Sequence, residues 1–221
     1  MKPNAQHCCP ICNYSAFKTF TTTDKRPAYL CPHCLCISIS PEYFPKPRKE
    51  VKRYDTHENS IEQKGYVRFL SKSITPIEDL LDKGRKCLDF GCGPTPVLSQ
   101  ILGRKGIDCS NYDPFYFPNK STLVQETYDV VFATECLEHF HHPLESIGQM
   151  VSCLKPGGLL SVMTRFWTSA KRFNQWHYSN DETHVLFYHP RTMDYLAQKF
   201  NLSLLMQDDY ERAIFVQNSP P

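Results

Sequence analysis

From residue 86 onward, short apolar runs alternate with helical stripes. Lys86-Cys87-Leu88-Asp89-Phe90 is a run of strand length, segments 128–133 and 159–164 repeat that form, and the more polar 107–112 reads as a further strand between them. Bounded runs of this kind, rich in Val, Ile and Phe, predict strands of a buried parallel sheet. Between them the period changes. Val97, Leu98, Ile101 and Leu102, and then Leu144, Ile147, Val151 and Leu154, recur at three- and four-residue intervals. Each set predicts a helix that lays one apolar stripe on the sheet. Strand–helix alternation makes this half an α/β fold.

The front of the chain follows a different pattern. Segments 17–23 and 28–30 predict a short hairpin. Residues 37–57 form a connector with Pro41, Pro45 and Pro47, and a basic run at 48–53. A helix is predicted over 61–73, with Ile61, Tyr66, Phe69 and Leu70 on its apolar face. The expected division is 1–40, 41–75 and 76–221.

Composition adds limits. The chain has 221 residues, 41% hydrophobic and 22% charged, with net charge +2. That excludes a wholly disordered chain. No apolar run approaches the ~20 residues of a membrane span, so a membrane is not an expected partner, and DNA is not either. The start has no apolar h-region, which predicts no secretory leader. Residues 1–75 hold 12 basic and 6 acidic side chains, a balance that permits an RNA partner without demanding one.

Six of the 11 cysteines fall in the first 36 residues. An odd count without a leader predicts the reducing cytoplasm. Cys9-Pro-Ile-Cys12 and Cys31-Pro-His-Cys34 repeat one spacing, with 18 residues between them. Two such turns close a tetrahedral four-sulfur shell, the pattern of a zinc ribbon. A disulfide or a redox CxxC is the alternative. A closed four-cysteine site is structural, and the metal supplies folding energy to so small a module.

The first strand of the larger half runs into Gly91-Cys92-Gly93-Pro94. A strand, a glycine turn and a helix start let backbone approach a ligand closely. Asp113 follows Gly93 by 20 residues, at the end of the next strand. A carboxylate there accepts the two hydroxyls of a ribose. Cys92 and Cys136 read as small apolar fillers.

These elements together resemble the class I S-adenosylmethionine-dependent methyltransferases. The motifs that carry the resemblance are LDFGCG, the aspartate of NYDPF, YDVVFATECLEHF and LKPGG, over roughly residues 86–164. The resemblance implies a Rossmann-like seven-stranded sheet ending in an antiparallel hairpin, supplied by 202–207 and 212–217. It implies S-adenosylmethionine held at its methionine end by Asp89, Gly91, Cys92 and Gly93, and at its ribose by Asp113. Phe115 would border the adenine, Pro114 would also contact the cofactor, and Glu135 would start the loop after the fourth strand and join the cofactor-binding set.

Glu135, Glu138 and His139 stand at i, i+3 and i+4. On a helix they would share one face and offer a divalent-cation site. His184 lies in an aromatic-rich insertion, 176–188. ExxEH with this downstream histidine resembles the small-RNA 3′-terminal 2′-O-methyltransferases, in which the corresponding residues bind a divalent ion. Carried over, Glu135, Glu138, His139 and His184 would hold Mg²⁺ or Mn²⁺ and activate a hydroxyl. The ExxEH element also resembles quinone-pathway O-methyltransferases, so the acceptor is either a small molecule or RNA. A competing reading makes His184 and Asp181 a buried polar pair that holds the lid. A zinc-ribbon binding protein without turnover is the alternative to an enzyme.

Overall fold

The computed structural model describes residues 8–56 and 59–219. The N-terminal start and the last residue of the expected connector lie outside them. In chain order the elements are β1 (Lys18–Thr21), β2 (Pro27–Leu30), β3 (Ile37–Ile39), α1 (Pro47–Tyr54), α2 (Lys64–Ile74), β4 (Lys86–Phe90), α3 (Val97–Arg104) and β5 (Asp108–Tyr112). They continue with β6 (Tyr128–Thr134), α4 (Pro143–Cys153), β7 (Leu154–Met163), α5 (Ala170–Phe173), β8 (Leu186–Phe187), α6 (Pro190–Lys199), β9 (Leu202–Gln207) and β10 (Arg212–Gln217).

The larger sheet has the order β5-β4-β6-β7-β10-β9. Strands β5, β4, β6 and β7 pair in parallel, and β10 joins β7 and β9 antiparallel. The predicted strands and terminal hairpin are therefore present in an α/β fold. The sheet has six described strands rather than seven. Asp113 and Tyr128 are separated by 14 residues, and a crossover helix plus a strand does not fit in that length. A 3₁₀ turn at Lys120–Thr122 occupies it instead.

Strand β6 shows why the sheet is buried on both faces. Val130 and Phe132 point into one core with Leu70, Ile74, Leu98 and Ile101 of α2 and α3. Val131 and Ala133 point into the other with Ile147, Met150, Met193 and Leu196 of α4 and α6. A two-residue side-chain period and a continuous apolar run produce this arrangement.

The smaller sheet has the order β1-β2-β3-β8. Its last strand comes from the insertion after β7, pairing Ile37 with Phe187 and Ser38 with Leu186. Ile11, Ile37 and Ile39 share one core with Phe173, Val185, Phe187 and Tyr188. The ribbon ends in sequence near the expected boundary at 40, but its sheet and core run on into the larger half.

Candidate active site

Strand β4 delivers Asp89 and the glycine turn to the carboxyl edge of the sheet. Gly91 has φ +77°, and a Cβ there would stand 2.6 Å from Cys136 Cβ. Only glycine avoids both the clash and the left-handed strain. Gly93 has φ +67°, with no atom within 4 Å of where its Cβ would be. The turn is tied to β5 by Gly91 N–H donating to Tyr112 O (2.8 Å). Asp113 accepts from Gly93 N–H (3.1 Å), Phe115 N–H (2.8 Å) and Tyr116 N–H (3.1 Å). Three backbone donors hold its carboxylate at the turn. Asp89 is buried, and burial, with the Asp113 charge second, pushes its carboxyl up to about 7.

The ExxEH segment is not helical at its start. Glu135 has φ +49°, its N–H donates to Met163 O (2.7 Å), and a 3₁₀ turn, Leu137–His139, follows. The α-helix begins only at Pro143, the residue that fits a first helical turn. The expected common face of Glu135, Glu138 and His139 is therefore replaced by a smaller set. One ligand atom from each of Glu138, His139 and His184 lies within 4.8 Å of the others, and Glu135 stands outside this group. Glu135 lines the same cavity, one residue before the Cys136 that packs on Gly91. Burial, then the Glu138 charge, holds its carboxyl well above the ordinary range.

Each histidine of the set is oriented by backbone. His139 Nδ1 donates to Thr183 O (3.0 Å) and His184 Nδ1 to Tyr178 O (2.8 Å). A carbonyl only accepts, so each Nδ1 carries a hydrogen, and Nε2 is the ring atom left to meet a ligand. Burial, and second the His139 charge, lowers His184 to about 4, so it is neutral at pH 7. Glu138 is 1% exposed; its Oε2 accepts from Thr164 Oγ1 (2.8 Å). Its Oε1 is buried without a hydrogen-bond partner, 3.9 Å from His139 Nε2.

Several contributors have no sequence signal. Arg53 of α1 reaches Asp181 (2.7 Å). That carboxylate lies below its usual range despite burial, through donation from the Thr183 hydroxyl first, with the Thr183 N–H and Arg53 adding to it. Tyr54 packs edge-on against His139 and tilted against Phe115. The predicted basic connector is thus a helix across the cleft. His141 stands 3.1 Å from the buried carboxylate of Glu50. Cys92 and Cys136 are held above the ordinary thiol range, first by burial, which agrees with their reading as fillers.

Cys9, Cys12, Cys31 and Cys34 form a second group. The Sγ separations Cys9–Cys34 and Cys12–Cys31 are 3.6 and 3.4 Å. Disulfides need about 2.05 Å, whereas the edge of a tetrahedral Zn–S₄ site is about 3.8 Å. The cysteines are free thiols suited to one ion.

A parallel-dominated sheet with a glycine turn after β4, a buried carboxylate after β5 and a terminal antiparallel hairpin is the arrangement of the class I, S-adenosylmethionine-dependent methyltransferase fold. The family described as a methyltransferase domain matches residues 61–207, and the chain belongs to it. The ubiquinone biosynthesis O-methyltransferases of two Aliivibrio fischeri strains, MJ11 and ATCC 700601 / ES114, are 33% identical over 98 residues. Those matches cover 34% of this chain and span 42% of the relatives' length. The crystal structure of Burkholderia thailandensis 1,6-didemethyltoxoflavin-N1-methyltransferase, with bound 1,6-didemethyltoxoflavin and S-adenosylhomocysteine, is similar at TM-score 0.54 and 12% identity. It covers 91% of this chain and all (100%) of that one. A SAM-dependent methyltransferase from Archaeoglobus fulgidus is similar at TM-score 0.51 and 14% identity, over 69% of this chain and 94% of its own. No helix among the described residues is long and apolar enough to cross a membrane.

Proposed function

We propose that the chain transfers the methyl group of S-adenosylmethionine to a hydroxyl oxygen of a small-molecule acceptor. Glu138, His139 and His184 would hold a divalent cation, Mg²⁺ or Mn²⁺, at the acceptor side. The observation that carries this reading is Glu138 Oε1, a buried carboxylate oxygen with no hydrogen-bond partner, grouped with two imidazoles whose Nδ1 atoms are already engaged. A buried orphan oxygen costs free energy unless a cation or donor meets it. Backbone carbonyls behind metal-binding histidines are the usual orienting partners.

The residues also fit the cofactor. Open space at Gly93 lets a ligand lie against the turn, Asp113 offers carboxylate lone pairs to a ribose, and buried Asp89 favours a cationic group beside it. Bound S-adenosylmethionine supplies an electrophilic methyl on a sulfonium. A bound divalent cation lowers the pKa of a hydroxyl it coordinates. The protein's own part is alignment and exclusion of water. Tyr54, Tyr178 and Phe115 wall the cleft, and Thr164 fixes the Glu138 carboxylate.

The cavity has a volume of about 1050 Å³ and is lined by nine carboxylates and two arginines among the described residues. One of the arginines, Arg53, is spent on Asp181. An acidic wall repels a phosphate backbone, which favours a small neutral or cationic acceptor over RNA. The similarity to ubiquinone O-methyltransferases supports oxygen as the methylated atom. Zinc in the four-cysteine site completes the proposal.

Titration with S-adenosylhomocysteine and with Mn²⁺ tests it. We expect one site for each, with the Mn²⁺ site lost in Glu138→Gln and the nucleoside site kept. No nucleoside binding at millimolar concentration, or an unchanged Mn²⁺ site in the variant, overturns the respective half.

A further inference from the structure

Arg26 lies in the hairpin turn of the ribbon and is 5% exposed. Its Nε donates to Asp24 (2.5 Å). Its Nη1 donates to Glu182 O (3.2 Å) and His184 O (3.0 Å), and its Nη2 to Ser179 O (3.0 Å) and Asp181 O (3.0 Å). All five guanidinium N–H groups are used. Four of the acceptors are backbone carbonyls of one loop, 179–184, the loop that carries His184. A lysine presents three donors from a single atom and cannot reproduce this fork.

The next residues extend the same grip. Ile39 N–H donates to Val185 O (2.8 Å), and Val185 N–H donates to Glu138 O (2.9 Å). The loop is thereby strung between the ribbon strand β3 and the ExxEH turn. Strand β2 runs directly from Arg26 to Cys31, so the four-cysteine site sets where the guanidinium stands. The catalytic half answers with Trp167 Nε1 donating to Leu35 O (2.8 Å) and Thr192 Oγ1 donating to Cys34 O (2.9 Å). In contrast, the backbone hydrogen bonds of the glycine turn go to Tyr112 at the end of β5 and to Asp113.

We propose that the zinc ribbon is a positioning device for the acceptor half of the active site, acting through Arg26 on the backbone of 179–184 and hence on His184. Zinc occupancy and acceptor-side order are then one property, and cofactor binding is another. The inference does not depend on a metal at Glu138, His139 and His184.

Amide hydrogen exchange and S-adenosylhomocysteine titration on the full chain separate the two. In Arg26→Lys with zinc retained, exchange across 179–187 rises about tenfold or more, while peptides over 86–93 and 108–113 stay protected and nucleoside affinity stays within about threefold. Stripping zinc with a thiol reagent gives the same pattern, larger. Mn²⁺ binding, if the wild type shows it, weakens in parallel; a wild type without Mn²⁺ binding sinks the metal reading and leaves the exchange result to decide this one. Unchanged loop protection in Arg26→Lys overturns the proposal. So does equal loss of protection over the loop and the cofactor turn, since that marks general unfolding.

Discussion

His139 and His184 meet edge to face, ring centroids 4.8 Å apart, each with its Nδ1–H held by a carbonyl of the 178–183 segment. Two rings fixed this way direct their remaining lone pairs rather than rotate freely. If they and Glu138 hold a divalent cation, His184→Ala lowers methyl transfer about 100-fold or more and leaves S-adenosylhomocysteine affinity within about threefold. A variant that keeps full turnover in excess metal would exclude the role. Single-turnover rates beside calorimetry give the comparison.

Thr164 acts on the same carboxylate from behind. Its hydroxyl donates to Glu138 Oε2 (2.8 Å) and lies 3.2 Å from the Tyr178 hydroxyl. Thr164→Val keeps the shape and deletes the donor, leaving a second buried carboxylate oxygen unpaired. Loss of such an orienting partner weakens metal binding about 10- to 100-fold. The fold loses about 1–3 kcal/mol. Mn²⁺ affinity and urea denaturation of the variant check both figures.

The glycine turn gives a paired prediction. Gly91→Ala sets a methyl 2.6 Å from Cys136 Cβ at φ +77°, so strain and clash add. We expect about 1–3 kcal/mol of lost stability and weaker nucleoside binding. Gly93→Ala carries the φ strain alone, since nothing lies within 4 Å of its Cβ position. It melts closer to the wild type yet still loses cofactor affinity, because the added methyl takes open space at the turn. Thermal melts and titration of both variants separate protein packing from ligand space.

What the sequence made legible follows from where its information is local. Strand runs, helical stripes and the glycine turn are set by neighbours within a few residues. The β4–α3 unit therefore stands where the pattern put it, and the β9–β10 hairpin where the family resemblance put it. The ExxEH spacing suggested one helical face, but Glu135 turns left-handed and Pro143 starts the helix later, so the group became Glu138, His139 and His184. Arg26 and Arg53 carry no motif. Their partners lie 153–158 and 128 positions away along the chain, and only tertiary packing reveals them. The strand β8 that completes the ribbon sheet was hidden for the same reason.

The last prediction concerns Asp89, a buried carboxyl raised from 3.8 to about 7. The folded protein holds this proton more tightly than the unfolded chain does. The associated stability is therefore full below about pH 4 and is lost as pH rises through about 7, by up to about 4 kcal/mol. Asp89→Asn cannot lose a proton. Its stability relative to the wild type should therefore improve between pH 5 and pH 8, read from paired urea titrations. A flat difference would show that Asp89 is already ionised at pH 5. Cofactor binding carries the opposite sign. A cationic ligand beside Asp89 favours its ionised form, so affinity tightens as pH rises from 6 to 8 and binding releases a proton near neutrality. Calorimetry in buffers of different ionisation enthalpy counts that proton. Finding none, in a protein that still binds the nucleoside, would place the cationic end of the ligand away from Asp89.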